Sequence, residues 1–221
     1  MPDTTSTGND TTSTKPATST TIAHRRHHRG CWLAGFVLLA IGYLKLGRSR
    51  VLNWGATPDE VKSPIPGDEL LQDAEMVATR AITIDAPPAA IWPWLVQMGL
   101  GRGGAYTYDW IERLFGLDIH NVDHIVPELQ NLAVGDVIPM RPNDPGMRVE
   151  VLEPERAMSA RSEDGEWVWS FVLAPDNGST RLISRNRARV RGAGERAAVM
   201  ERKMLRTIKQ LAETLEAQRR T

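Results

Sequence analysis

The stretch "GERAAVMERKMLRTIKQLAETLEAQRR", residues 194–220, constrains the fold most. Ala197, Met200, Met204, Ile208, Leu211 and Leu215 recur every three or four residues, while Arg202, Lys203, Arg206, Lys209 and Glu213 fall on other faces. Such spacing predicts one long helix with a single apolar stripe, and a stripe of that length must be covered by another layer. The preceding residues supply it. "LAVGDVIPM", "MRVEVLE", "RAMSARSE", "EWVWSFVLA" and "TRLISRNRARV" are short strand-like runs separated by the turn signals "RPNDPG", "EDG" and "PDNGS". These connections are too short for crossovers and predict an antiparallel meander. An earlier strand is read in "ATRAITIDA", where Ile82 and Ile84 share one face and Thr83 and Asp85 the other.

Between that strand and the meander lies "PPAAIWPWLVQM", with Pro87 and Pro88 suited to a first helical turn and Ile91, Trp92, Leu95 and Met98 at helical spacing. The next residues carry Gly99, Gly101 and Gly104 at the G-x-G-x-x-G spacing of dinucleotide sites. That fingerprint needs a strand running into the first glycine and a helix opening at the last. Here a helix runs into Gly99, so the glycines read as a helix end and a tight turn before a second helix, "YTYDWIERLFG", stopped by Gly116.

The chain divides into four parts. Residues 1–30 are a Thr- and Ser-rich tail with a basic end, too poor in apolar surface to order. "CWLAGFVLLAIGYL", residues 31–44, carries no charge; with flanks to residue 46 it is read as a short single-pass membrane anchor, with Trp32 and Tyr43 near its ends. It covers only about 21 to 24 Å, and a signal peptide ending near "AIG" or an interfacial helix are the alternatives. Arg25, Arg26 and Arg29 on one side match Lys45, Arg48 and Arg50 on the other, so charge does not orient it. Residues 47–75 are read as a tether holding one short helix, which "TPDE" opens as a capping box with Thr57 at the cap and Glu60 reaching back. Trp54 is expected to lie on the domain surface. The folded domain is assigned to residues 76–217.

"NWGAT", "PGDEL", "TIDAPPAAIWPWLVQMGLGRGGAYTYDWIERLFGLDIHNVDHIVPELQNLAVGD", "WSFVL" and "TRLISRNR" resemble the SRPBCC or START-like superfamily, in a bacterial branch of it, over about residues 51–215. The resemblance implies the α+β helix-grip fold, a curved antiparallel sheet wrapped around a long C-terminal helix. It also implies a deep apolar cavity for lipids, sterols, polyketides or other hydrophobic small molecules. "YTYDWIE" and "DHIVPELQ" stand where relatives are expected to have "YSYDWLE" and "DRIVPEWQ", so His124 and Leu129 replace an Arg and a Trp.

Balanced formal charge, 27 basic against 27 acidic side chains, argues against a nucleic-acid partner, and the lone Cys31 excludes an internal disulfide and a Cys-based zinc site. "DIHNVDH" brings Asp118, His120, Asp123 and His124 close in sequence, but Gly116 and Pro127 around them argue for a loop, and no metal is assigned. The cavity candidates are Trp167, Trp169 and Phe171 on one face of their strand, Ser184 and Asn186 on theirs, and Tyr106 and Tyr108. Ser184 and Asn186 either orient a ligand's polar end or satisfy buried backbone. Arg181, Arg185, Arg187 and Arg189, in the opposite phase, are read as a solvated outer face paired with acids such as Glu150.

Asp109 and His120 are the candidate catalytic residues should the site do acid–base chemistry, as polyketide cyclases of the superfamily do. No nucleophile motif or cofactor loop is present, so no cofactor is assigned. The reading taken is a membrane-tethered domain that binds a hydrophobic small molecule or lipid, its oligomeric state left open with a monomer expected. A cyclase-type enzyme is the alternative, and a structural or partner-binding module the weaker one.

Overall fold

The computed structural model describes residues 42, 47–107, 121–140, 145–189 and 193–220, with side chains from residue 200 onward in the last helix. By contacts the chain splits into Met1–Tyr43 and Leu44–Thr221, and all that follows concerns the second unit.

Six strands form one antiparallel sheet: β1 (Met76–Ile84), β2 (Val137–Ile138), β3 (Met147–Glu153), β4 (Ala157–Ser162), β5 (Trp167–Asp176) and β6 (Ser179–Ala188). Their order is β1-β6-β5-β4-β3-β2, so β2 to β6 are the expected meander and β1 adds to its far edge. The helices are α1 (Arg48–Leu52), α2 (Pro58–Lys62), α3 (Pro88–Val96) and α4 (Ala193–Arg220). A register shift between Val149 and Val151 bends β3 against β4.

On the inner face, Ile84, Val149, Met158, Phe171, Leu173 and Leu182 from the strands meet Ile91, Trp94 and Leu95 of α3 and Met204, Leu205, Ile208 and Ala212 of α4. Pro93 lies inside α3, yet Ala90, Ile91, Trp94, Leu95 and Val96 are buried, so packing outweighs its missing N–H.

The outer face differs from the solvated arginine row expected. Residues 47–75 are not a free tether: they lie along β1, β6 and β5, with Leu52, Ile65 and Leu71 buried. The β6 arginines hold this strap. Arg181 Nε donates to Glu60 Oε1 (2.7 Å) and Arg187 Nε to the Leu71 carbonyl (2.8 Å). Arg185, only 3 % exposed, ion-pairs with Asp68 (2.6 Å) and donates to the carbonyls of Ser63 and Glu60. Arg189 pairs with Asp73 and Glu166, so the partners are strap acids and Glu166 in place of Glu150.

The strap's own structure prepares it. The Thr57 hydroxyl accepts from Glu60 N–H, and the Glu60 carboxylate accepts from Thr57 N–H, the capping box read from sequence. Further on, Gly67 (φ 96°) passes so close to the sheet that a Cβ there would lie 2.3 Å from Ser159 Oγ. Neighbouring Pro66 accepts a hydrogen bond from that same hydroxyl (2.8 Å).

A chain beginning at residue 47 is therefore expected to fold cooperatively, and one beginning at residue 76 to lose cooperative unfolding or precipitate. Arg185→Ala is expected to cost about 3 kcal/mol in urea titration, because it strands Asp68 and several strap carbonyls. The Arg181 guanidinium holds the Glu60 carboxyl below its ordinary value of 4.5, so its contribution is present above that pH and lost as the pH falls through the lowered value. Acid titration of Glu60→Gln should show that part of the acid-dependent loss removed.

Candidate functional site

The inward rows of β1, β5 and β6 converge on one buried acid. Arg80 on β1 pairs in register with Ser184 on β6, and Ser184 with Phe171 on β5; one step along, Ala78, Asn186 and Trp169 align. Over this row α4 places Glu201, 4 % exposed. Its carboxylate ion-pairs with Arg80, which is fully buried, and accepts from Ser184 Oγ (2.5 Å) and from Asn186 Nδ2 (3.1 Å to each oxygen). Behind these two residues stand the indoles: Trp169 Nε1 donates to Ser184 Oγ (2.9 Å) and Trp167 Nε1 to Asn186 Oδ1 (2.8 Å). Burial pushes the Glu201 carboxyl up from its ordinary value, while Arg80, then Ser184, pull it back.

Ser184 and Asn186 thus hold a buried carboxylate, where the sequence reading weighed a ligand or buried backbone. Trp167 packs against the satellite cluster of Leu52, Met76, Ala78 and Ala188. Its ring stacks on Trp169 (5.7 Å, 20°), and Trp169 in turn leans on Phe171 (4.9 Å).

Beyond that aromatic pair lies an apolar pocket. It is lined by Trp169 and Phe171, by Met147, Met158 and Ala160 of β3 and β4, and by Met98–Leu100, Ala105 and Ile138–Met140. Leu100, Ala105, Pro139 and Met140 are half-buried, so the pocket reaches solvent between the glycine turn and the end of β2. Its enclosed volume is about 30 Å³, room for about one water and not the deep cavity implied by the resemblance.

The glycine turn forms the pocket's loop side. Gly99 and Gly104 bridge each other, Gly103 N–H returns to the Gln97 carbonyl (2.7 Å), and Leu100 N–H reaches the Pro139 carbonyl (2.7 Å). A Cβ on Gly103 would sit 2.9 Å from both the Gln97 carbonyl and the Tyr106 hydroxyl, so only glycine fits. Arg102 donates to the carbonyls of Met98, Val96 and Leu129, fixing the end of α3 to the following loop.

Tyr106 is core and does not line the pocket. It meets Trp94 edge-on (6.1 Å), its hydroxyl accepts from Gln97 Nε2 (2.8 Å), and burial pushes its pKa up to about 12. His124 is 70 % exposed beside Asp123, and among the described residues no cluster of three metal-ligating side chains occurs. Tyr108, Asp109, His120 and the helix read from residue 106 to Gly116 lie outside the described residues, apart from Tyr106 and Thr107.

The sequence reading missed Arg80 and Glu201, although both carry a signal. Arg80 is in phase with Ile82 and Ile84, and Glu201 precedes Leu205, Ile208 and Ala212 by four, seven and eleven residues on the buried stripe.

A strap-covered antiparallel sheet grips the long C-terminal helix. The chain has the helix-grip fold. No family model and no curated protein sequence matches it. Solved structures do: a protein from Mesorhizobium loti (17% identity, 63% of this chain and 98% of that one, TM-score 0.41) is one. Others are a polyketide-cyclase-like protein from Corynebacterium glutamicum (16%, 64% and 92%, 0.34) and the Aha1 dimer from Colwellia psychrerythraea (17%, 64% and 96%, 0.39). At such TM-scores the likeness is loose, and the fold assignment rests on the strand order and the helix.

Arg80→Met and Glu201→Leu are each expected to cost about 3–5 kcal/mol in denaturant titration, and the double variant less than their sum. A raised carboxyl contributes stability below its ordinary value of 4.5 and loses it as the pH climbs through the raised value. The stability difference between wild type and Glu201→Gln should therefore shrink from acid to neutral pH; a pH-independent difference would refute the raised value.

Proposed function

We propose that the domain binds a hydrophobic small molecule or lipid chain in the pocket beside Trp169 and Phe171. The observation that carries this is the lining: apolar side chains reach the surface, and the one polar side-chain atom among them, Trp169 Nε1, is spent on Ser184. The enclosed volume is far below the roughly 300–1,000 Å³ of ordinary ligand sites, so binding requires the wall to yield. Met98, Met140, Met147 and Met158 supply that compliance, because an unbranched thioether repacks at small cost. The same small volume favours a second reading, a filled core in a structural or partner-binding module.

One experiment separates them. A fluorescent fatty acid should bind the wild-type chain saturably, and Ala160→Leu, which plugs the pocket, should abolish binding while keeping a cooperative melt. Absence of saturable binding to wild type would favour the filled core. Trp169→Phe tests the wall apart from the network: binding should persist within a few fold, with stability lowered by about 1–3 kcal/mol for the lost donor.

The proposal includes tethering through residues 31–46, supported by the uncharged run between Trp32 and Tyr43. Among the described residues no helix is long and apolar enough to cross a membrane. The full chain should stay in the membrane fraction after a high-salt wash, and release by salt would count against an inserted anchor.

A further inference from the structure

We infer that the face formed by α1, Trp54 and the Arg202–Arg206 turn of α4 docks on the headgroups of an anionic phospholipid bilayer. Trp54, just past α1, is half-buried, and its backbone is fixed by Ala81 N–H donating to its carbonyl (3.1 Å). Two guanidinium groups from α4 converge on its ring: Arg202 at 4.9 Å and Arg206 at 5.4 Å from the centroid. Both arginines are exposed, one helical turn apart, and among the described residues neither has a carboxylate partner. Like charges at that spacing repel each other, and the indole face that both guanidinium groups share offsets the repulsion. Beside them α1, which packs against α4, exposes Arg50 and Val51, the latter 37 % exposed.

Several other cations among the described residues are paired within the domain. On the same helix Lys209 is tied to Glu213 and Arg220 to Glu216, and the β6 arginines are consumed by the strap. Arg202 and Arg206 thus set two exposed cations on an aromatic ring, with Arg50 and an aliphatic side chain on neighbouring α1, the composition that settles at a headgroup layer. A nucleic acid is the poorer fit, because both guanidinium groups already cover the Trp54 ring that a base would need for stacking.

The test is amide hydrogen exchange on the full chain in nanodiscs of neutral phosphatidylcholine and in discs with about one third phosphatidylserine. Exchange at residues 48–56 and 200–208 should slow by about tenfold in the anionic discs only, and the effect should vanish near 0.5 M salt. Arg202→Glu with Arg206→Glu should remove the difference and Arg202→Lys with Arg206→Lys should keep it. Because each variant is compared with itself in two bilayers, a general loss of stability cancels. Equal exchange in the two bilayers overturns the proposal, as does slowing by an RNA oligomer without slowing by anionic lipid. A chain that enters neither disc sinks the anchor reading alone. Docking is then scored by flotation with phosphatidylserine vesicles, where failure of wild type to float overturns it.

Discussion

A buried carboxylate ties the helix to the sheet. Glu201 is withdrawn from water and receives Arg80 from the edge strand β1, and Ser184 and Asn186 from β6. The indoles of β5 stand behind those two residues and donate to them. An unpaired carboxylate at such a depth would cost several kcal/mol, so α4 can dock in only one rotation and height without stranding it. Apolar contacts alone would tolerate sliding by a turn, since Met204, Leu205, Ile208 and Ala212 are similar in kind. The polar cluster supplies specificity, and the surrounding apolar residues supply most of the driving force.

The opposite face solves a second problem by different means. A sheet whose outer side carries Arg181, Arg185, Arg187 and Arg189 in one row would repel itself along β6. Covering it with a segment that presents Glu60, Asp68 and Asp73 turns that repulsion into attachment. Backbone carbonyls at the ends of α2 and of the short helix at Asp68–Leu71 add acceptors that a row of side chains could not. Ala81 and Thr79, which point outward from β1, are buried by this cover and not by the core.

What the sequence disclosed follows the range of each signal. Period-two alternation located β3 to β6, three-to-four spacing located α4, and the helix running into Gly99 was enough to dismiss a nucleotide loop in favour of the turn observed. The strap was misread because its composition is that of a linker, and its attachments span more than a hundred residues from Glu60 to Arg181. The same distance hid the Arg80–Glu201 pair: each residue sat visibly in the buried phase, but nothing local matched one to the other. Cavity size lay further out of reach, since it depends on how Trp169 and the methionines fill the space, which no pattern of residue types encodes.

The pocket's two walls differ in stiffness for reasons already present in the network. Trp169 is wedged between Trp167 and Phe171 and donates to Ser184, itself bound to Glu201. Rotating it outward would remove a donor from a buried acceptor next to a buried charge, so this wall moves only at the expense of the cluster that holds α4. Across from it, the backbone of the glycine turn is bonded to Gln97 and Pro139, yet the side chains it carries forward, Met98 and Leu100, take part in no hydrogen bond through their side chains. With Met140 at the end of β2, they can change rotamer without orphaning a polar group. Any widening of the pocket must therefore begin on the methionine side, at the rim that already meets solvent, and leave the aromatic wall standing.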